Sequence, residues 1–265
     1  MGDHSLQQLL NPVFRWSFSQ WETYNQCPFR WKCQSILKLP RGDAGPAAAR
    51  GTDLHDRVEN YIKGENDLAD ITIGAGKLFY FVGDESHKPP LRQAVVHPRY
   101  VPILDEFKNH PNGARHTELK LAFDHEWDLL PFTDKRASCI MVLDAVRSGG
   151  AWNGLDKGKD DGIVWVGEWK SGKPKDTHGD QRKMYAMAGL KYFLAKEVRV
   201  TTFYLEDTAP PARLTAADTA FVKLTDMWSH RRDLMMRDEI CAPRPGFYCK
   251  WCDYRASNGG PCKFG

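Results

Sequence analysis

Ile163-Val-Trp-Val-Gly-Glu168-Trp169-Lys170 is an apolar run that ends in acid, aromatic and base. Upstream, Cys139-Ile-Met-Val-Leu-Asp144-Ala-Val-Arg147 is a second apolar run with one acid in it. Val, Ile and Trp favour extended chain, so both read as strands. Residues i and i+2 of a strand point to the same side, which puts Glu168 and Lys170 on one face and Trp169 on the other. Carboxylates on two adjacent strand ends suit a hard divalent cation such as Mg²⁺, which takes oxygen ligands. A lysine beside them can orient or deprotonate a water, or neutralise charge on a phosphate. The plainer reading is a solvated acid and an i,i+2 ion pair at a wet strand end.

Working outward, Thr117–Asp124 is a third strand ahead of these two, and Val198–Leu205 is a further β-branched strand behind them. The loops between the first three strands hold Pro131, the Gly149-Gly150 pair and the polar stretch Asn153–Gly162. A helix is expected over Asp180–Lys196. Thr215-Ala-Ala-Asp218 resembles a capping box, and Phe221, Leu224, Trp228 and Met235 follow at helical spacing. Toward the N-terminus, residues 17–39 are helix-forming, with a break at Pro28. Residues 40–51 are rich in Pro and Gly and read as a flexible loop. Thr52 is then the expected N-cap of a helix to Lys63 with Leu54, Val58, Tyr61 and Ile62 on its apolar stripe. Residues 64–93 show no clear periodicity, a helix is expected near 99–109, and 64–115 together reads as an insertion. The order helix, three strands, helix, strand argues for one α/β domain over residues 1–265, with helices packed on a mixed sheet.

The whole chain is compatible with that reading. Its 265 residues are 42% hydrophobic, 27% charged and 12% aromatic, which excludes collagen-like, disordered and coiled-coil classes. No run of about 18 apolar residues is present, so no membrane span is expected. No basic segment followed by an apolar core opens the chain, so the expected location is the cytoplasm, a host's cytoplasm if the protein is viral. The net charge of +3 is small, but residues 15–50 carry six Lys/Arg against two Asp/Glu, and residues 170–199 carry eight against three. Clustered positive charge on a near-neutral chain suits a polyanion groove or, more plainly, a solvated surface.

Asp144, then Glu168-Trp169-Lys170, then Gln181-x-x-x-Tyr185 on a helix, resembles the PD-(D/E)XK nuclease superfamily. Gly51-Thr-Asp-Leu-His55 resembles the G-x-x-x-H motif of its RecB-like branch. The resemblance covers residues 17–205 in order and implies a restriction-endonuclease-like core. It implies that His55, Asp144, Glu168 and the backbone carbonyl of Trp169 hold Mg²⁺ or Mn²⁺. Asp144, Glu168 and Lys170 would be the catalytic group, with Lys170 the catalytic lysine. Gln181 and Tyr185 would lie near the substrate strand. Glu118 on the first strand is an outer ligand or half of a surface pair with Lys120, and stays outside this core set.

The seven cysteines are an odd number in a chain with no secretory signal, which argues against a disulfide framework. Cys139 opens a strand and reads as a small buried hydrophobe. Cys249-Lys-Trp-Cys252, with Cys262 further on, suits one metal centre that needs a fourth ligand. The segment Ser17-Phe-Ser19, Tyr24, Cys27-Pro28 is similar to the N-terminal motif of RecB-like nucleases that carry an iron–sulfur cluster, among them CRISPR-associated RecB-like exonucleases and the AddB nuclease domain. That likeness implies a [4Fe–4S] cluster on Cys27, Cys249, Cys252 and Cys262, with the tail 242–265 closing on Cys27. The last gap is longer than in that pattern, which leaves Cys33 or Cys241 as substitutes, and four thiolates also serve Zn²⁺.

The function expected from these readings is metal-dependent hydrolysis of DNA, foremost as an exonuclease acting at single-stranded ends in recombination, repair or processing. Partners would be DNA and recombination or replication proteins. Two rivals differ in their consequences. A non-catalytic nucleic-acid-binding module with a zinc-ribbon-like tail would bind without cleaving. An endonuclease or junction resolvase on the same fold would cut circular single strands.

Overall fold

β-branched and aromatic residues in alternation make the strands, and in the computed structural model they join one six-stranded sheet. The structure describes residues 14–42, 45–81, 86–110, 115–148 and 162–264. The sheet strands are β3 (Arg115–Phe123), β4 (Leu129–Leu130), β5 (Cys139–Ser148), β6 (Ile163–Lys170), β7 (Glu197–Tyr204) and β8 (Ala212–Ala217), in the order β4-β3-β5-β6-β7-β8. β3/β4, β5/β6 and β7/β8 pair antiparallel, while β6/β7 pair parallel. A parallel pair needs a crossover, and the helix α6 (Thr177–Phe193) provides it. This is the mixed α/β architecture, with helices on a central sheet, that the sequence leads one to expect.

The chain divides into two compact units. The described residues of 44–120 and 142–221 form the first. Here the helices α3 (Pro46–Lys63) and α5 (Val101–Lys108) bury Leu54, Val58, Ile62, Leu104 and Phe107 in one cluster with Ala145, Trp169 and Phe203 of the sheet. The opposite side chains of β7 meet α6: a Cβ on Gly189 would lie 3.0 Å from both methyls of Val198. Between α3 and α5 come the short helix α4 (Leu68–Thr72), capped by Asp67, and a small hairpin of β1 (Leu78–Phe79) with β2 (Leu91–Arg92).

The described residues of 14–42, 121–141 and 222–264 form the second unit. It contains α1 (Phe18–Gln26), α2 (Pro28–Trp31) and α7 (Phe221–Arg237). Its core is aromatic. Trp16, Phe18 and Trp21 each stack on or against Trp228, with ring centroids 6.1–6.5 Å apart. Six of the nine tryptophans are buried across the two units, so most of this aromatic content is packing rather than a surface for bases.

Several expectations need correction. The Pro/Gly-rich stretch 40–51 is not a loop throughout. α3 starts at Pro46, because proline has the φ and the missing N–H that the first helical position wants, so Thr52 lies inside the helix and is not its cap. Thr215-Ala-Ala-Asp218 is not a capping box. Thr215 belongs to β8, paired with Arg199 of β7, and a 3₁₀ turn at Asp218–Ala220 precedes α7. The sequence ARLTAA has little β propensity, and pairing with β7 overrides it. The crossover helix spans Thr177–Phe193, ending in a left-handed Leu194. Gly149-Gly150 and most of the polar stretch after it, 149–161, lie outside the described residues. Among the described residues no helix is long and apolar enough to cross a membrane.

Candidate active site

The apolar stripe of α3 faces the core, and this turns the neighbouring His55 toward the end of the sheet. The helix can pass close because of Gly51: a Cβ there would lie 3.0 Å from Ser171 Oγ, just after Lys170. His55 Nδ1 lies 3.8 Å from Asp144 Oδ2. The same carboxylate oxygen accepts the Trp169 N–H at 2.8 Å. His55 also bonds the Trp169 backbone. His55, Asp144 and the Trp169 backbone therefore meet.

Burial lowers the His55 pKa, with Glu168 opposing and Lys170 assisting. The imidazole is neutral at neutral pH, the form in which histidine acts as a ligand. Burial pushes the Asp144 carboxyl well above the usual range, the Glu168 charge pushes it further, and Lys170 pulls the other way. Two carboxylates with little water around them repel, and a cation between them relieves both.

Glu168 is 3% exposed. Its Oε1 accepts from the Lys170 ammonium and from Gln181 Nε2, the latter at 2.8 Å. Its Oε2 is buried with no hydrogen-bond partner among the described residues. An unmet buried acceptor costs about 1–3 kcal/mol. That orphan oxygen, with a neutral imidazole and a second acid, is a donor set of the chemistry that Mg²⁺ and Mn²⁺ accept. Among the described residues, no three His, Cys, Asp or Glu side chains already stand as a closed ligand group.

Gln181 and Tyr185 sit behind Glu168. The Gln181 amide also donates to Tyr185 Oη at 2.9 Å, and Tyr185 donates to the Val142 carbonyl at 2.9 Å. Both are buried, and their polar atoms run from Glu168 across to β5. A cavity of about 440 Å³ opens beside His55 and Asp144, lined also by Gly51, Asp56, Glu59 and Glu118. Glu118 is the residue that sequence reasoning left aside. Its φ of +49° within a strand is a setting non-glycine residues seldom take, at a cost of about 1–3 kcal/mol. Burial raises its pKa, as do the charges of Glu59 and Glu168. Only its place on the strand before Asp144 hinted at this in the sequence.

The cysteines belong to the second unit. Cys27, Cys249, Cys252 and Cys262 line one cavity with Arg30 and Arg244. Cys27 Sγ accepts the N–H groups of Arg30 and Arg244, each at 3.5 Å, and Cys249 Sγ accepts that of Gly246 at 3.4 Å. The long gap before Cys262 folds back on itself: Cys262 N–H bonds the Tyr254 carbonyl at 2.8 Å, and Gly260 permits it, since a Cβ there would lie 2.3 Å from Tyr254 C. Cys33, Cys241 and Cys139 are buried. Burial first, then the neighbouring Cys252, Cys262 and Cys27, raises the Cys33 pKa to about 11. Burial likewise raises Cys139.

No curated protein matches the chain. A solved structure, described as "Crystal structure of SSO0001", aligns over 98% of this chain and 96% of its own at 15% identity with a TM-score of 0.39, too low to carry an argument. The sequence model of the PD-(D/E)XK nuclease superfamily, in contrast, matches residues 15–257. That span runs from the first described residues through α3, both acid-bearing strands and α6 to the cysteine tail, and the chain belongs to the PD-(D/E)XK nuclease superfamily.

Proposed function

We propose that this nuclease is a divalent-metal-dependent DNA exonuclease of the RecB-like kind, acting at ends with single-stranded character. The observation that carries the reading is the buried, unpartnered Glu168 Oε2 beside the His55–Asp144 pair. His55, Asp144, Glu168 and the Trp169 carbonyl would hold Mg²⁺ or Mn²⁺. When bound, that ion supplies Lewis acidity to a water and to the phosphate oxygens. The residues themselves do the rest. Trp169 N–H fixes the Asp144 carboxylate. Gln181, anchored through Tyr185 to Val142, fixes Glu168. Lys170, a three-donor cation held by Glu168, steadies the attacking water and faces charge that builds on the phosphate.

We assign the second unit's cysteines Cys27, Cys249, Cys252 and Cys262 to a [4Fe–4S] cluster, with Zn²⁺ as the rival occupant. The cluster would tie the N-terminal helices to the tail, and its role is structural. Their common cavity and the N–H groups aimed at Cys27 and Cys249 support this.

The test uses linear and circular single-stranded DNA with Mn²⁺, Mg²⁺ or EDTA. The expected result is metal-dependent loss of the linear substrate with the circle left intact. Cleavage of the circle would make the enzyme an endonuclease, and cleavage in EDTA would remove the metal from the mechanism. Iron and zinc measured in anaerobically prepared protein decide between the two occupants of the cysteine pocket.

A further inference from the structure

In the second unit, Phe247-Tyr-Cys-Lys-Trp251 winds into one 3₁₀ turn just after Pro243 and Pro245. At three residues per turn, side chains i and i+3 share a side. Tyr248 and Trp251 form one such pair, and Phe247 and Lys250 the other. The Lys250 ammonium accordingly lies 5.2 Å from the Phe247 ring centre. Phe247 and Trp251 meet edge to face, with centroids 4.7 Å apart. Rings of this size are normally covered in a folded protein. Here Phe247, Tyr248 and Trp251 stay 65%, 57% and 55% exposed. Tyr248 also lines the cysteine cavity, but Phe247 and Trp251 do not, so screening the thiols does not account for them.

The surroundings of these rings are basic. Residues 242–264 carry Arg244, Lys250, Arg255 and Lys263 against one acid, Asp253. Arg255 Nη1 donates to the Lys250 carbonyl at 2.6 Å, which ties a second cation to the turn. Lys263 stands 5.5 Å from the ring centre of Phe264, a further exposed aromatic. Exposed rings among cations select their occupant. An apolar protein surface would cover the rings and leave the cations without opposite charge. A duplex offers phosphates but keeps its bases stacked on one another. A single strand presents flat bases and phosphates together, the combination that aromatic rings and basic side chains hold without regard to sequence.

We propose that this turn is a stacking platform for a single strand of DNA, with bases on Trp251 and Tyr248 and phosphates on Lys250, Arg244 and Lys263. It rests on the single-stranded substrate proposed above and not on cleavage. The platform belongs to the second unit, whereas His55, Asp144 and Glu168 belong to the first.

The experiment is fluorescence anisotropy of labelled oligo(dT), an abasic strand of the same length and a duplex, with the whole chain and no added divalent metal. The abasic strand keeps the phosphates and loses the stacking surfaces. Wild type is expected to bind oligo(dT) at least about fivefold more tightly than the abasic strand. Trp251→Ala and Tyr248→Ala should each weaken oligo(dT) by about fivefold or more and leave the abasic strand unaffected, and Trp251→Phe should restore most of the loss. Lys250→Gln should reduce the slope of log affinity against log salt by about 0.7. Iron and zinc per chain confirm that the neighbouring cysteines are undisturbed, and Lys250→Gln carries the test if Trp251→Ala releases metal. Equal binding of oligo(dT) and the abasic strand, or wild-type affinity in metal-replete Trp251→Ala and Tyr248→Ala, overturns the platform and leaves the single-stranded substrate standing. Binding of the duplex without binding of oligo(dT) overturns both. A dimer in sedimentation that Trp251→Ala dissociates overturns it in favour of a second copy of the chain.

Discussion

Asp144→Asn separates what the acid does for stability from what it does for catalysis. Asparagine keeps the shape and an acceptor for the Trp169 N–H, which reaches Asp144 Oδ2 at 2.8 Å. It removes a charge that burial and Glu168 both disfavour. Because the folded-state pKa is raised above the usual 3.8, the charged carboxylate destabilises the fold at neutral pH. As pH falls through the folded value the native state takes up the proton first, so this contribution rises until the unfolded chain protonates as well. Metal-free Asp144→Asn should therefore melt at or above wild type at pH 7 and lack that acid-side gain. Metal reverses the ranking. A ligand at 100 times its Kd adds about 2.7 kcal/mol. At about 2–4 °C per kcal/mol, that is a rise of about 5–10 °C in wild type and almost none in the variant. If the lost metal contribution to the transition state is about 4 kcal/mol, cleavage falls about a thousandfold. Thermal melts with and without Mn²⁺, beside a single-turnover cleavage assay, measure all three. A metal-induced rise in Asp144→Asn equal to that of wild type, or cleavage within tenfold, would refute the assignment of Asp144 as a ligand.

His55→Ala should weaken metal affinity by more than about tenfold, with activity partly restored at high Mn²⁺, whereas Lys170→Ala should lower turnover about a hundredfold or more at unchanged metal affinity. Because burial lowers the His55 pKa, the imidazole stays neutral as pH falls to its usual midpoint of about 6.5, and a pH–rate profile should show no acid limb from it until lower pH. Iron and zinc counted per chain across single Cys→Ala variants should fall for Cys27, Cys249, Cys252 and Cys262 and hold for Cys139; loss at Cys33 or Cys241 with retention at Cys27 would give the fourth position to another thiol. Gly260→Ala should also release metal and lower Tm without touching a thiol, since its Cβ would fall 2.3 Å from Tyr254 C; full metal retention in that variant would mean the tail turn is not what brings Cys262 back.

The strands that carry the acids were legible because their composition and periodicity agree with their place in the sheet. Strands Cys139–Ser148 and Ile163–Lys170 are apolar on both faces, as strands covered by helices are. What the sequence hid was decided by contacts far away in the chain. Strand Ala212–Ala217 has weak propensity and exists through its ladder to Glu197–Tyr204. The start of α3 at Pro46 was masked by flanking glycine and alanine, which also suit a loop. At the site, i,i+2 spacing foretold the Glu168–Lys170 pair, but no local pattern could show that Gln181 holds Glu168, or that Glu118, with a left-handed backbone, lines the same cavity as Asp144.

Two charges three residues apart on β5, one buried and one half-buried, show why the acidic cleft is read as a site and not as scaffold. Arg147 is 2% exposed, and Glu106 meets it at 3.1 Å with the opposite charge. That is the arrangement a fold uses when a charge must be buried: removing either partner would cost several kcal/mol. Asp144 has the opposite surroundings. Besides the Trp169 N–H it faces a like charge, Glu168, whose second oxygen has no partner among the described residues, and Glu118 adds the repulsion of a third carboxylate. Lys170 offsets only part of this. A sequence selected for stability alone would resolve the conflict with an amide or an apolar residue at no loss of packing. Local conflict of this kind in an otherwise consistent sequence marks a functional position, and here the group that would resolve it is a divalent cation.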